Sequence, residues 1–157
     1  MNGIEVVYLT HEGHEKLQAE LKHLTEVRRR EVAEMIRDAK ADGDLRENAA
    51  YDEAKEQQGF VEGRIQELED MLRRAKVIEE PTTKDVVAIG SRVKVAEDGE
   101  APEEFRIVGS AEADPMKGFI SHNSPLGAAL LGKRAGQSAS YTAPTGTKMT
   151  FKILEIG

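Results

Sequence analysis

Two rhythms of apolar positions divide the chain. Ala54, Gln58, Val61, Ile65, Leu68, Leu72 and Ala75 follow one another at alternating steps of 4 and 3, a heptad seam with one polar member. Upstream, Leu17, Leu21 and Leu24 begin the same rhythm, and Val32, Met35, Ile36 and Ala39 continue it after the basic run Arg28–Arg30. Between the two seams, Ala41-Asp42-Gly43-Asp44 reads as a short polar turn whose glycine can end a helix in the left-handed conformation. Neither stripe can bury itself alone, and so short a turn forces them antiparallel. The spacing predicts a helical coiled-coil hairpin with arms 11–42 and 45–76, each roughly 45–48 Å long at ~1.5 Å per residue, and with its free end at residues 41–48. Gly59 and Gly63, one turn apart in the second arm, read as close packing against the first arm or, alternatively, as a groove for a partner.

The rhythm changes after residue 80. Ser91–Ala96 sets Val93 and Val95 on one face, Phe105–Val108 is a second apolar run, and Lys148–Ile156 alternates Met149, Phe151 and Ile153. Tyr141 and Pro144-Thr145-Gly146 precede that last run as a hairpin requires. Ser124, Pro125 and Gly132 are in the positions of an N-cap, a first helical residue and a C-terminal cap. The expectation is one short helix among about five strands, a small α+β domain. All five prolines lie in this half, whereas no Gly or Pro interrupts His14–Asp42. Two domains follow, 1–80 and 81–157, in a two-domain α+β chain.

Charge and composition narrow the function. Residues 1–80 carry 13 Lys+Arg against 20 Asp+Glu, the source of the net −7, while residues 81–157 carry 9 of each. This argues against broad coating of nucleic acid and leaves local contacts open. Absence of cysteine excludes disulfide frameworks, zinc ribbons and thiol catalysis. No apolar run approaches the roughly 20 residues that span a bilayer, and no signal-peptide pattern opens the chain, so a cytoplasmic protein without membrane contact is expected. The second half offers no nucleophile–base constellation, and His122 reads as a surface or turn residue.

Candidate chemistry sits at the turn, in Gly43-Asp44-Leu45-Arg46-Glu47-Asn48-Ala49-Ala50-Tyr51. Asp44 and Glu47 have capping-box spacing, Asp44 accepting from the backbone of Glu47 and Glu47 reaching back. The same two carboxylates can hold a divalent cation. Mg²⁺ needs six oxygens, so a pair on a bare stalk binds weakly and becomes useful only where a second molecule completes the shell. That reading makes the protein a component completed in trans, and not an autonomous hydrolase.

The run Gly43–Ile65, with Phe105-Arg106-Ile107-Val108-Gly109, Glu112-Ala113-Asp114 and Ile120–Lys133 in the same order, closely resembles the bacterial Gre-type transcript cleavage factors, GreA-like in kind. The resemblance implies an N-terminal coiled-coil hairpin and a C-terminal domain of FKBP-like fold. It further implies a monomer that docks its globular domain at the rim of the RNA polymerase secondary channel and threads the hairpin inward. There it stimulates the polymerase's own hydrolysis of backtracked RNA. On that resemblance Asp44 and Glu47 hold a second Mg²⁺ shared with the polymerase, and Lys55, with Arg37 and Lys40, contacts the RNA 3′ end. Ser124, Pro125 and Leu126 belong to the docking loop. Helix-face ion pairs such as Asp52–Lys55 and Glu34–Arg37 are the ordinary alternative for these basic residues, and capping and core packing the alternative for the loop. Ala50 departs from the acidic residue expected in many relatives.

Three other functions compete. A same-fold inhibitor would enter the channel without promoting cleavage, but its tip is more aspartate-rich than Asp44–Ala49. An FKBP-type isomerase needs an aromatic-lined pocket, and residues 81–157 hold only Phe105, Phe119, Tyr141 and Phe151. A plain coiled-coil scaffold would make the tip chemistry irrelevant.

Overall fold

A computed structural model describes residues 5–41, 48–81 and 83–157. The chain forms two compact units, Glu15–Arg74 and a second assembled from Met1–His14 with Ala75–Gly157. The division differs from the expected 80/81 boundary because two short strands, β1 (Val7–Thr10) and β2 (Ala75–Ile78), pair in parallel, Val7 opposite Ala75 and Thr10 opposite Ile78. Ala75, read above as the last seam residue, therefore belongs to a strand.

The hairpin unit consists of α1 (His11–His23, which begins in the other unit), a π-helical segment Leu24–Arg28, α2 (Arg29–Ala41) and α3 (Ala49–Arg73). Val32, Val61 and Ile65 form its buried seam, with Leu21, Leu24 and Ile36 packed against them. Met35 is 38% exposed and lies off the seam. The π segment has a sequence cause. Leu24 and Val32 are eight residues apart where a heptad allows seven, and a π turn absorbs the extra residue. Gly59 and Gly63 contradict the close-packing reading: a Cβ on either meets nothing within 4 Å among the described residues.

Two bidentate pairs cross between the arms. Arg29 donates from Nε and Nη2 to Glu62 at 2.9 and 2.7 Å, and Arg64 donates to Glu20 at 2.9 Å from Nε and from Nη2. The hydrogen bond from Arg29 holds the Glu62 carboxyl below the usual carboxylate range and raises the Arg29 guanidinium. A lowered folded-state value means that the pair's contribution is present above the unfolded carboxylate pKa and lost as pH falls through the folded one. Side-chain exposures of 49% and 42% keep it small and salt-sensitive. Glu62→Gln is thus expected to flatten the loss of helical circular dichroism between about pH 5 and 3, most visibly at low salt. An unaltered acid profile would count against the pair.

The other unit is built on a five-stranded sheet. Its strands are β3 (Arg92–Glu97), β4 (Glu103–Val108), β5 (Phe119–Ser121), β6 (Ser138–Thr142) and β7 (Lys148–Ile156), in the order β5-β4-β3-β7-β6. All neighbours are antiparallel except β4 and β5. Alternation does what the sequence indicated: Val93 and Val95 are buried, whereas Arg92 and Lys94 face out. Val93, Val95, Ile107, Leu130, Phe151 and Ile153 form the core under the short helix α4 (Pro125–Leu130), and Tyr141 stacks on Phe151 with centroids 6.3 Å apart. Gly146, at φ 90°, closes the β6–β7 hairpin that the Pro-Thr-Gly signal indicated. A cavity of about 670 Å³ on this unit is bordered by Lys84, Arg92, Lys94, Glu104 and Leu154 and by no aromatic ring.

The N-terminal strand is fastened to this unit by one carboxylate. Glu112 accepts from the Thr10 N–H at 2.9 Å, the Thr10 hydroxyl and the Gly109 N–H at 3.2 Å. Thr10 Oγ1 in turn accepts from the Gly13 N–H at 3.1 Å in the first turn of α1. Arg106 adds a tie, donating to Glu12 at 2.9 Å.

Candidate functional site

Asp44 and Glu47, with the rest of 42–47, lie outside the described residues. The structure describes the two helix ends that bracket them. Helix α3 starts at Ala49, later than the expected 45, and its N-cap is Asn48, whose Oδ1 accepts from the Tyr51 N–H at 3.1 Å. The N-cap of α3 is therefore Asn48. The same side chain donates from Nδ2 to the carbonyl of Ala39 in the last turn of α2. That carbonyl lies in the last turn of α2 as described. Asn48 thus accepts from a backbone N–H on one arm and donates to a backbone C=O on the other. An extended backbone at Asn48, φ −93° and ψ 92°, allows this. The role was open to sequence reading: Asn is a favoured N-cap, and Asn48 directly precedes the helix formers Ala49 and Ala50.

The basic candidates occupy these same arms. Lys55 is exposed on α3 and donates to Gln58 Oε1 at 2.8 Å, in place of the ion pair with Asp52 considered above. Arg37 stands 4.0 Å from Glu34, both well exposed. Lys40 is exposed in the last turn of α2, where a cation is favoured by the helix dipole. All three are solvated, and the structure does not join them to one another.

The docking candidates sit at the head of α4. Ser124 Oγ accepts from the Gly127 N–H at 3.1 Å and donates to the Ser121 carbonyl at 2.7 Å, so its hydroxyl is engaged in capping. Pro125, at the first helical position, is exposed, and Leu126 packs against the core. Beside them Ser110, Ser121 and Asn123 form an exposed hydrogen-bonded set. His122 meets Tyr8 edge-to-face at 5.4 Å, a turn residue as expected. Sequence reading missed Glu112, whose importance lies in a partner 102 residues away. Among the described residues no cluster of three or more His, Cys, Asp or Glu could hold a metal ion, and no helix is long and apolar enough to cross a membrane.

Comparison with known proteins covers nearly the whole chain. Residues 7–77 match the family model described as transcription elongation factor, N-terminal, and residues 82–157 match transcription elongation factor, GreA/GreB, C-term. A transcription elongation factor GreA from Caldanaerobacter subterraneus is 55% identical over 152 residues, spanning 96% of each chain. One from Thermoanaerobacter pseudethanolicus is likewise 55% identical over 152 residues, with 96% coverage of each chain. Among solved structures, the GreA factor homolog Gfh1 of Thermus thermophilus aligns over 98% of this chain and 99% of its own, at 31% identity and a TM-score of 0.45.

Proposed function

Since this chain belongs to the GreA/GreB family of transcription elongation factors, we propose that it carries its acidic tip into the RNA polymerase secondary channel and there promotes hydrolysis of backtracked RNA. It is a transcription elongation factor, and RNA polymerase is its partner in that role. The names of its curated relatives favour this over a same-fold inhibitor.

One observation carries the reading. Asp44 and Glu47 fall in sequence between the two arms, and the N-cap of α3 is Asn48. Carboxylate oxygens are the donors that Mg²⁺ prefers, and two of them fall short of its six positions, so Asp44 and Glu47 fit a shared ion better than a resident one. When bound, such an ion supplies positive charge that activates water and steadies a phosphodiester leaving oxygen. This chain's part is to bring two ionised carboxylates to the polymerase's metal. Lys55, exposed on α3 and bonded to the neutral amide of Gln58 among the described residues, is suited to meet the phosphates of the extruded RNA 3′ end. Pro125, exposed beside the capped Ser124, and Leu126 would meet the channel rim. The factor would act as a monomer, in the cytoplasm where the polymerase works.

Incubating a backtracked elongation complex with the full chain and Mg²⁺, then sizing the RNA, tests this directly. Shortened transcripts with extendable 3′ ends are expected, and RNA of unchanged length at saturating protein would overturn the proposal. In the same assay Lys55→Ala should slow cleavage by about 3–10-fold at subsaturating protein, with binding to polymerase free of backtracked RNA retained. A rate equal to the unsubstituted protein's would remove Lys55 from the RNA contact.

A further inference from the structure

We propose that the outer face of the five-stranded sheet carries a binding site for a small phosphate-bearing ligand, held by Arg92, Arg106 and Lys117 beside Phe119. The site is separate from the cleavage reading and does not depend on it. Its basis is the sheet register. Arg106 on β4 lies opposite Arg92 on β3 and opposite Phe119 on β5, so the three form one row across three strands. Alternation turns Arg92 outward, away from the buried Val93, and its register partners share that face. Lys117 ends the 3-10 turn Pro115–Lys117, two residues before Phe119. All four border a cavity of about 290 Å³.

Two cations facing each other on neighbouring strands repel, and an anion between them turns that repulsion into attraction. Arg106 is also short of partners. Its side chain is only 11% exposed. Among the described residues its Nη1 donates to Glu12 at 2.9 Å, while the buried Nε donates to none. A guanidinium withdrawn from water with a donor unmet gains more from an anion than a solvated one does. Lys117 stands 3.9 Å from Asp114 and is 70% exposed, a loose contact that an anion can replace. Two carboxylates also border the cavity: Glu12, engaged by Arg106, and Glu104, which lies opposite Lys94 in the next row. The chemistry favours phosphate over a further carboxylate. A carboxylate brings two oxygens and one charge, whereas a phosphate group brings three acceptor oxygens and up to two charges. That is enough to meet two opposed guanidiniums and a lysine together. Phe119 adds an apolar wall for an organic group esterified to the phosphate.

Backbone amide NMR shifts and thermal unfolding of the full chain test the site. The probes are inorganic phosphate, uridine monophosphate and uridine, each set against sodium chloride of equal ionic strength. Both phosphate probes should move the amides of Arg92, Arg106 and Phe119 and raise the melting temperature; uridine and chloride should do neither. Tighter binding of uridine monophosphate assigns the site to phosphomonoesters and equal binding assigns it to free phosphate, and either result upholds the proposal. Arg92→Gln should weaken the phosphate probes by about tenfold, the scale of one charge-assisted hydrogen bond. In chloride alone that variant should melt no lower than the unsubstituted protein, because one of two opposed charges is gone. Lys117→Gln, at an exposed turn, should weaken the same probes with the melting temperature in chloride unchanged. A phosphate effect no larger than that of chloride would overturn the proposal, as would undiminished phosphate binding by the Arg92→Gln/Lys117→Gln double variant. So would a glutamate-rich peptide that moves these amides while the phosphate probes do not, since the face would then receive a protein.

Discussion

Replacing Asp44 by Asn and Glu47 by Gln together is expected to lower stimulated RNA cleavage by at least about 100-fold, the scale seen when charge is withdrawn from a transition state. The melting temperature and the affinity for polymerase should both hold. The expectation of intact stability comes from the helix start. Because α3 begins at Ala49 with Asn48 as its N-cap, amides of similar size in place of the two carboxylates should leave that cap intact. Were the pair instead a capping box, the double variant would still cap, since Asn and Gln can fill those positions, and cleavage would persist. Rates on a stalled elongation complex, set beside thermal unfolding of the same preparations, distinguish the outcomes. Undiminished cleavage would end the metal-holding interpretation.

Gly109→Ala should be the most damaging small change in the globular unit. A Cβ at this position would lie 1.6 Å from the Tyr8 carbonyl oxygen and 3.2 Å from the Glu112 carboxylate. The Tyr8 oxygen is backbone within β1, so relief requires moving the strand, and moving β1 breaks the Thr10–Glu112 bonds and the pairing with β2. Overpacking costs about 1–3 kcal/mol where side chains can yield, and a backbone neighbour puts this case at or above the upper end. Gly59→Ala is the control. There the new methyl meets open space within a helix, and the exchange should stabilise by about 1 kcal/mol. Thermal and urea unfolding of the two full-length variants should therefore move in opposite directions. Equal, small shifts would show that β1 is not seated against Gly109 as described.

Much of this architecture was legible because it rests on periodicity. The α3 seam, the alternation in β3 and β7, the Ser124 cap with Pro125 behind it, and the Pro-Thr-Gly hairpin are local patterns, each set within a few residues. What escaped depends on partners distant in sequence or on interruptions of a pattern. Strands β1 and β2 are four residues each and 68 positions apart in register; each is too short to show a period, and Ala75 extended the helical rhythm past the true helix end. Glu112 reads as an ordinary acidic residue until Thr10 is brought beside it. The π segment did leave a trace, in the eight-residue step from Leu24 to Val32, but a basic run masked it. At the tip, the acidic pair drew the capping assignment away from Asn48, the residue with the better claim by its place before Ala49.

The parallel pairing of β1 with β2 has a consequence for how this kind of chain can vary. One strand precedes the hairpin in sequence and the other follows it, so the two segments that flank it are paired side by side. Insertions or deletions made in matching steps on both arms would change the length of the arms without disturbing that pairing. An unmatched change in one arm would instead have to be absorbed as an irregular turn, as the π-helical segment absorbs the surplus residue between Leu24 and Val32.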